Sequence, residues 1–181
     1  MAVQIGAKQD AGFDDPIGML QDCHRRIERF AGLLGLVARQ AEGRALSPEE
    51  CEAVEASLRY FRESGPRHNR DEEESLFPRM RQGGADKGLH DVLNDVDRLE
   101  GEHRHSEALH KEAAELFGRW MADGELSAVD RSRLHAVITG LQQMYREHIR
   151  IEEQVVFPCA AQMLDRNTVE AIGAEFRSRR A

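Results

Sequence analysis

Two stretches of this chain repeat one pattern. His68-Asn-Arg-Asp-Glu72-Glu-Glu-Ser-Leu-Phe-Pro78 and His148-Ile-Arg-Ile-Glu152-Glu-Gln-Val-Val-Phe-Pro158 each carry a His, a Glu four residues on, a second Glu beside it, and a closing Phe-Pro. Residues four apart on a helix lie one above the other on one face. Each copy therefore offers an imidazole and a carboxylate to a common point, as a metal site on a helix needs. The rest of the chain is organised around that pair.

The repeat extends beyond the motifs. Ser47 to His68 spans 21 residues and so does Ser127 to His148; Leu46-Ser47 recurs as Leu126-Ser127; His24 precedes His103 by 79 and His68 precedes His148 by 80. Asp15-Pro16 reads as an N-cap followed by proline at the first helical position. From there Ile17, Leu20, His24, Ile27, Ala31, Leu34 and Ala38 recur at three- and four-residue steps until Gly43, an amphipathic helix with histidine in its apolar stripe. Ser47-Pro48-Glu49-Glu50 is a capping box. It opens a second stripe of Val54, Leu58, Phe61, Gly65, His68, Glu72 and Leu76. Pro66 is expected to bend this helix just before the histidine, and Pro78 to kink it late.

The third helix is expected from near Asp86 to Gly124, with Val92, Val96, Leu99, His103, His110, Phe117 and Met121 inward. Ser127, with Asp130 at the box position, caps a fourth carrying Leu134, Ile138, Leu141, Tyr145, His148, Glu152 and Val155. A short fifth helix is expected from about Thr168 to Arg177. Strand alternation is missing throughout. The pattern predicts an all-α fold, a duplicated αα-hairpin packed as an up-down-up-down four-helix bundle. Its expected parts are a loose arm over 1–14, the bundle over 15–163, and a short C-terminal helix and tail over 164–181.

Heights along the rods can be compared. At about 1.5 Å per residue, His24 lies roughly 25 Å and His68 roughly 30 Å from the first interhelical turn. His103 and His148 each lie about 30–35 Å from the turn near residue 125. Four histidines on four helices thus fall in one layer. A single histidine on an apolar stripe is ordinarily a hydrogen-bonded core residue. Four at one height, two of them with Glu at i+4, are hard to bury without a common partner, and a metal would be that partner.

A net charge of −8, with Lys and Arg spread among acids, argues against nucleic acid or an anionic membrane as partner. The terminal Arg177-Ser-Arg179-Arg180 cluster is too short to reverse that balance. No apolar run approaches a membrane span, and Met1-Ala-Val-Gln-Ile-Gly lacks the plan of a signal peptide, so a cytoplasmic location is expected. Cys23, Cys51 and Cys159 form no C-x-x-C and read as reduced thiols in or near the core. Cys23 stands about 100° round the helix from His24, which disfavours it as a co-ligand.

These residues resemble the hemerythrin-like proteins with the HHE cation-binding domain. The resemblance is carried by His24, by His68-x-x-x-Glu72 with Leu-Phe-Pro, by Glu102-His103, and by His148-x-x-x-Glu152 with Val-Phe-Pro. It implies a non-haem di-iron centre, two Fe ions with an oxo or hydroxo bridge. His24, His68, His103 and His148 would be terminal ligands and Glu72 and Glu152 would bridge. One departure stands out: oxygen-carrying members place a second histidine four residues after the third-helix ligand, where this chain has Glu107. Either Glu107 is a seventh ligand or one iron has an open position. Both alternatives disfavour easily reversible O2 carriage, since hard oxygen ligands favour ferric iron.

The resemblance implies a protein that binds or senses O2, NO or peroxide. The alternative is a di-iron enzyme with oxidase, ferroxidase or catalase-like activity, or one that repairs iron–sulphur clusters; the cysteine-bearing module of that last branch has no counterpart in residues 1–14. A ferritin-like site needs Glu-x-x-His on two helices, and only Glu100-x-x-His103 fits. His110 and Tyr145 are expected beside the ligands rather than among them, Tyr145 either as a hydrogen-bond donor or in ordinary packing. Glu73 and Glu153 are expected to hydrogen-bond on the bundle flank or face solvent, and His90, His105 and His135 to lie in solvent.

Overall fold

The structure, a computed structural model, describes residues 10–84 and 88–181. Its helices are α1 (Pro16–Ala41), α2 (Pro48–Glu63), α3 (Gly65–Asp71), α4 (Phe77–Gly84), α5 (His90–Asp123), α6 (Ala128–Ile151), α7 (Phe157–Met163) and α8 (Arg166–Ser178). A π-helical turn, Glu72–Leu76, joins α3 to α4, and another, Glu152–Val156, joins α6 to α7. No strand occurs among the described residues.

The helix starts follow their local chemistry. The Asp15 carboxylate accepts from the Gly18 N–H at 2.9 Å ahead of Pro16. Ser47 accepts from the Glu50 N–H while the Glu50 carboxylate accepts from the Ser47 N–H, closing a capping box. Ser127 accepts from the Asp130 N–H at 3.1 Å. Gly124, at φ 75, ends α5 in the left-handed region that glycine enters without a Cβ clash. The break expected at Pro66 falls at Ser64, between α2 and α3. The expected start of α5 near Asp86 lies outside the described residues, as does the part of the N-terminal arm before residue 10; α5 itself opens at His90.

The late kink takes a specific form. In each copy the N–H of the Phe before proline donates five residues back, Phe77 to Glu72 and Phe157 to Glu152. Pro78 and Pro158 have no N–H, and their rings crowd the carbonyl four residues earlier. Widening the turn by one residue relieves that crowding.

Helix α1 packs on α2 and α6, and α5 packs on α6 and α2, so the long helices form a ring. Inside it are two apolar clusters. One gathers Ile27, Leu34, Phe61, Phe117, Trp120 and Leu134; the other gathers Leu20, Phe77, Leu99, Phe157, Ile172 and Phe176. The histidine layer lies between them in sequence register on every rod: Leu20 and Ile27 flank His24, for example. Helix α8 closes the second cluster with Ile172 and Phe176, and ion pairs fasten it. Arg179 and Arg180 donate to the fully buried Asp71 at 2.9 and 2.5 Å, and Arg79 and Ser75 donate to Glu175. The terminal arginines are thus tied to this chain's own acid. No helix among the described residues is long and apolar enough to cross a membrane.

Candidate metal centre

The four histidines and two glutamates expected to meet do meet. His24, His68, His103 and His148 are 1–4% exposed, and Glu72 and Glu152 are fully buried. They fall into two groups, His24, His68, Glu72, Glu152 and Glu72, His103, His148, Glu152, each with donor atoms within 4.8 Å of one another. The glutamates belong to both. Glu152 turns Oε2 to His24 Nε2 at 3.0 Å and Oε1 to His148 Nε2 at 3.2 Å. Glu72 Oε2 lies 3.6 Å from His68 Nε2 and 3.4 Å from His103 Nε2. Each carboxylate therefore faces one histidine from each hairpin.

Close approach does not satisfy these atoms. Both oxygens of Glu72, both of Glu152, and His24 Nε2 are buried without a well-aligned hydrogen-bond partner. An unpaired buried polar group costs on the order of 1–3 kcal/mol, and a charged one more. Four imidazoles and two carboxylates converging with orphaned lone pairs fit a cation, and the nitrogen and oxygen donor set without thiolate suits iron, manganese or zinc. Cys23 is in neither group.

Five of these six side chains are shifted from their ordinary charge balance, in different directions. Burial, reinforced by the neighbouring Glu152, pushes the Glu72 carboxyl well above its ordinary range. Burial opposes ionisation of Glu152 too, yet the His148 and His24 imidazoles hold it well below. Against the same burial, Glu152 and Glu102 lift His148 to about 9, and Glu152 and Glu153 raise His24. Burial and the other imidazoles push His68 well below its ordinary value.

Behind the histidines stand three carboxylates, two of which, Glu73 and Glu153, spacing had placed on the flank. Glu73 lies 2.7 Å from His103 Nδ1, Glu153 lies 3.0 Å from His24 Nδ1, and Glu102 lies 2.9 Å from His148 Nδ1. A carboxylate on Nδ1 fixes the ring's orientation and tautomer and raises the basicity of Nε2. Phe157 stacks on His24 at 5.5 Å and Phe77 on His103 at 6.5 Å, so each stretch covers a histidine of the other hairpin.

Glu107 stands apart. Its side chain is exposed and it joins neither group. The reason is register: α5 buries Leu99, His103, Ser106, Ala113 and Phe117, so the step after His103 falls on Ser106. His110 and Tyr145 are partners of each other, with Nε2 and the phenol oxygen 2.6 Å apart; burial pushes His110 down to about 4 and the phenol upward. They help line a cavity of about 480 Å³ with Phe61, Gly65, Asn69 and Ser106. Gly65, Ser106 and Tyr145 are each three residues from a layer histidine, so the cavity lies one turn from the cluster. Glu107 lines it as well. His90, His105 and His135 are exposed as expected.

A family model described as the hemerythrin HHE cation binding domain matches residues 15–160. A Haemophilus influenzae protein described as uncharacterized is 27% identical over 177 residues, which cover 96% of this chain and 94% of that protein.

Proposed function

The chain belongs to the hemerythrin HHE cation-binding domain family, and from that premise we propose that it holds two non-haem iron ions and uses them to bind or sense O2, NO or peroxide. The observation that carries this reading is the sharing of Glu72 and Glu152 between two groups of donors. His24 and His68 would be terminal ligands to one ion, His103 and His148 to the other, with both glutamates bridging. We read the ring of helices as the up-down-up-down bundle of a duplicated hairpin, working in the cytoplasm.

Iron held by these six residues would supply redox chemistry toward a small ligand. The protein does the rest. Its two apolar clusters keep bulk water from the layer, strengthening every electrostatic contact inside. Glu73, Glu102 and Glu153 hold three imidazole rings in place. The lining of the cavity, with Tyr145 hydrogen-bonded to His110, gives an incoming molecule a largely apolar approach with one phenol on it.

A second reading, a di-iron enzyme with oxidase, ferroxidase or catalase-like activity, draws on the size of that cavity, which falls within the range of sites for small organic molecules. One experiment separates the two. Reduced, iron-loaded protein is exposed to O2 and then deoxygenated while its visible absorption is followed. A charge-transfer band that appears and reverses supports binding; a permanent ferric product with turnover of added hydrogen peroxide supports the enzyme. Iron retention no greater than that of a protein lacking both glutamates would refute either.

A further inference from the structure

We propose that the two metal positions are inequivalent: the one at His103 and His148 takes an ion more tightly than the one at His24 and His68. This inference rests on the two-metal reading above. All four histidines turn Nε2 toward the glutamates, leaving Nδ1 to be met from behind. Behind His103 and His148 stand Glu73 and Glu102. Behind His24 stands Glu153. His68 Nδ1 is buried and meets no polar partner.

The repeat explains that gap. His103 follows His24 by 79 residues, and the same offset carries Glu102 back onto Cys23. The first hairpin thus has a thiol where the second has a carboxylate. A thiol is shorter and a weak acceptor, and Cys23 Sγ is met by Arg26 at 3.8 Å rather than by the imidazole. The correspondence holds elsewhere: Glu73 and Glu153, 80 residues apart, serve His103 and His24 alike. Exchange of one residue therefore leaves one position with two carboxylate-backed imidazoles and the other with one.

Loss of such a partner typically lowers metal affinity by about 10- to 100-fold. Glu102 is also bonded by Arg98 at 3.0 Å and is 24% exposed, which places the expected difference toward the lower end of that range. A larger negative charge behind one position also favours the higher-valent ion there.

Cobalt(II) titration read by native mass spectrometry tests this without any activity assay, since the chain with no, one or two ions is counted directly. Two equal positions, half filled, leave half the chains singly loaded when the ions do not influence each other. A 10- to 100-fold difference raises that share to roughly 60–85%. Variants that leave Glu72 and Glu152 in place separate inequivalence from any coupling through those shared carboxylates. Glu102→Gln, which keeps the shape and removes the charge, should weaken the tight position about 10-fold or more and return the share toward half. Cys23→Glu, by backing His68, should also move it toward half, but with the second ion bound more tightly than before. A statistical distribution in the unaltered protein, or an unchanged one in Glu102→Gln of normal helicity, overturns the inequivalence while two ions still bind. Saturation below one ion per chain overturns the two-metal reading itself.

Discussion

Glu72 and Glu152 each begin a π-helical turn four residues after a buried histidine, in stretches of nearly the same sequence. One carboxyl is nevertheless pushed above its ordinary range and the other held below it. Position comes from the repeat, and charge state from the neighbours: His24 and His148 approach Glu152 to 3.0 and 3.2 Å, while the imidazoles near Glu72 stay at 3.4 and 3.6 Å. The outer surroundings differ as well. Asp71, directly before Glu72, is gripped by Arg179 and Arg180 of the C-terminal segment; its counterpart Ile151 is a buried apolar residue. Duplication has kept the cation geometry and changed what holds it.

The largest effects should come where both halves depend on one residue. Glu152→Ala and Glu72→Ala each remove a donor from both groups. Each should lower retention at both positions, by about 100-fold or more, whereas His24→Ala should empty one. Metal analysis after desalting reads the difference, and loss of only one ion in Glu152→Ala would break the shared-carboxylate geometry. Next come the phenylalanines that cap the layer. Phe77 and Phe157 are 0% and 1% exposed, and truncating either to Ala should lower unfolding stability by about 3–5 kcal/mol. Near-equal midpoint shifts in denaturant would show the halves packing alike.

Asp71→Asn strikes one half only. A buried acid that loses its charge leaves Arg180 without its carboxylate and Arg179 with Glu74 and Ser75 alone at short range. Arg179 and Arg180 retain some contact with water, so a loss of about 1–3 kcal/mol is expected. Amide exchange should quicken in α8 and leave α7 protected. Smaller again is the pH effect. His148 is raised to about 9 from an ordinary 6.5 in the metal-free chain, so a bound proton must leave before an ion can take Nε2. Metal affinity should therefore rise as pH climbs from 6.5 to about 9, with proton release on binding. In the same window the metal-free protein should lose stability, because the charged imidazole favours the folded state below 6.5 and stops doing so through its raised pKa.

Much of this could be read in advance where a residue's role is local. Asp15, Ser47 and Ser127 cap helices by contacts within three residues, and the histidine layer follows from helical rise. What escaped depends on neighbours. Glu73, Glu102 and Glu153 sit beside ligands in sequence, yet which imidazole each meets is decided across a helix interface; their adjacency to Glu72, His103 and Glu152 was the available signal. Spacing of four placed Glu107 near His103, but over several turns the α5 stripe falls on Ser106 and His110 instead. Proline announced a kink at Pro78 without revealing a π turn, there or in the second copy at Pro158. The pairing of Asp71 with Arg179 joins residues 108 apart, and nothing in either local sequence points to the other.

The central claim is that two cations share Glu72 and Glu152. Anaerobic loading with ferrous iron, removal of excess, and elemental analysis against protein concentration test it most directly. Two irons per chain are predicted, falling in Glu152→Ala to a small fraction of that. Less than one iron per chain in the unaltered protein would contradict it.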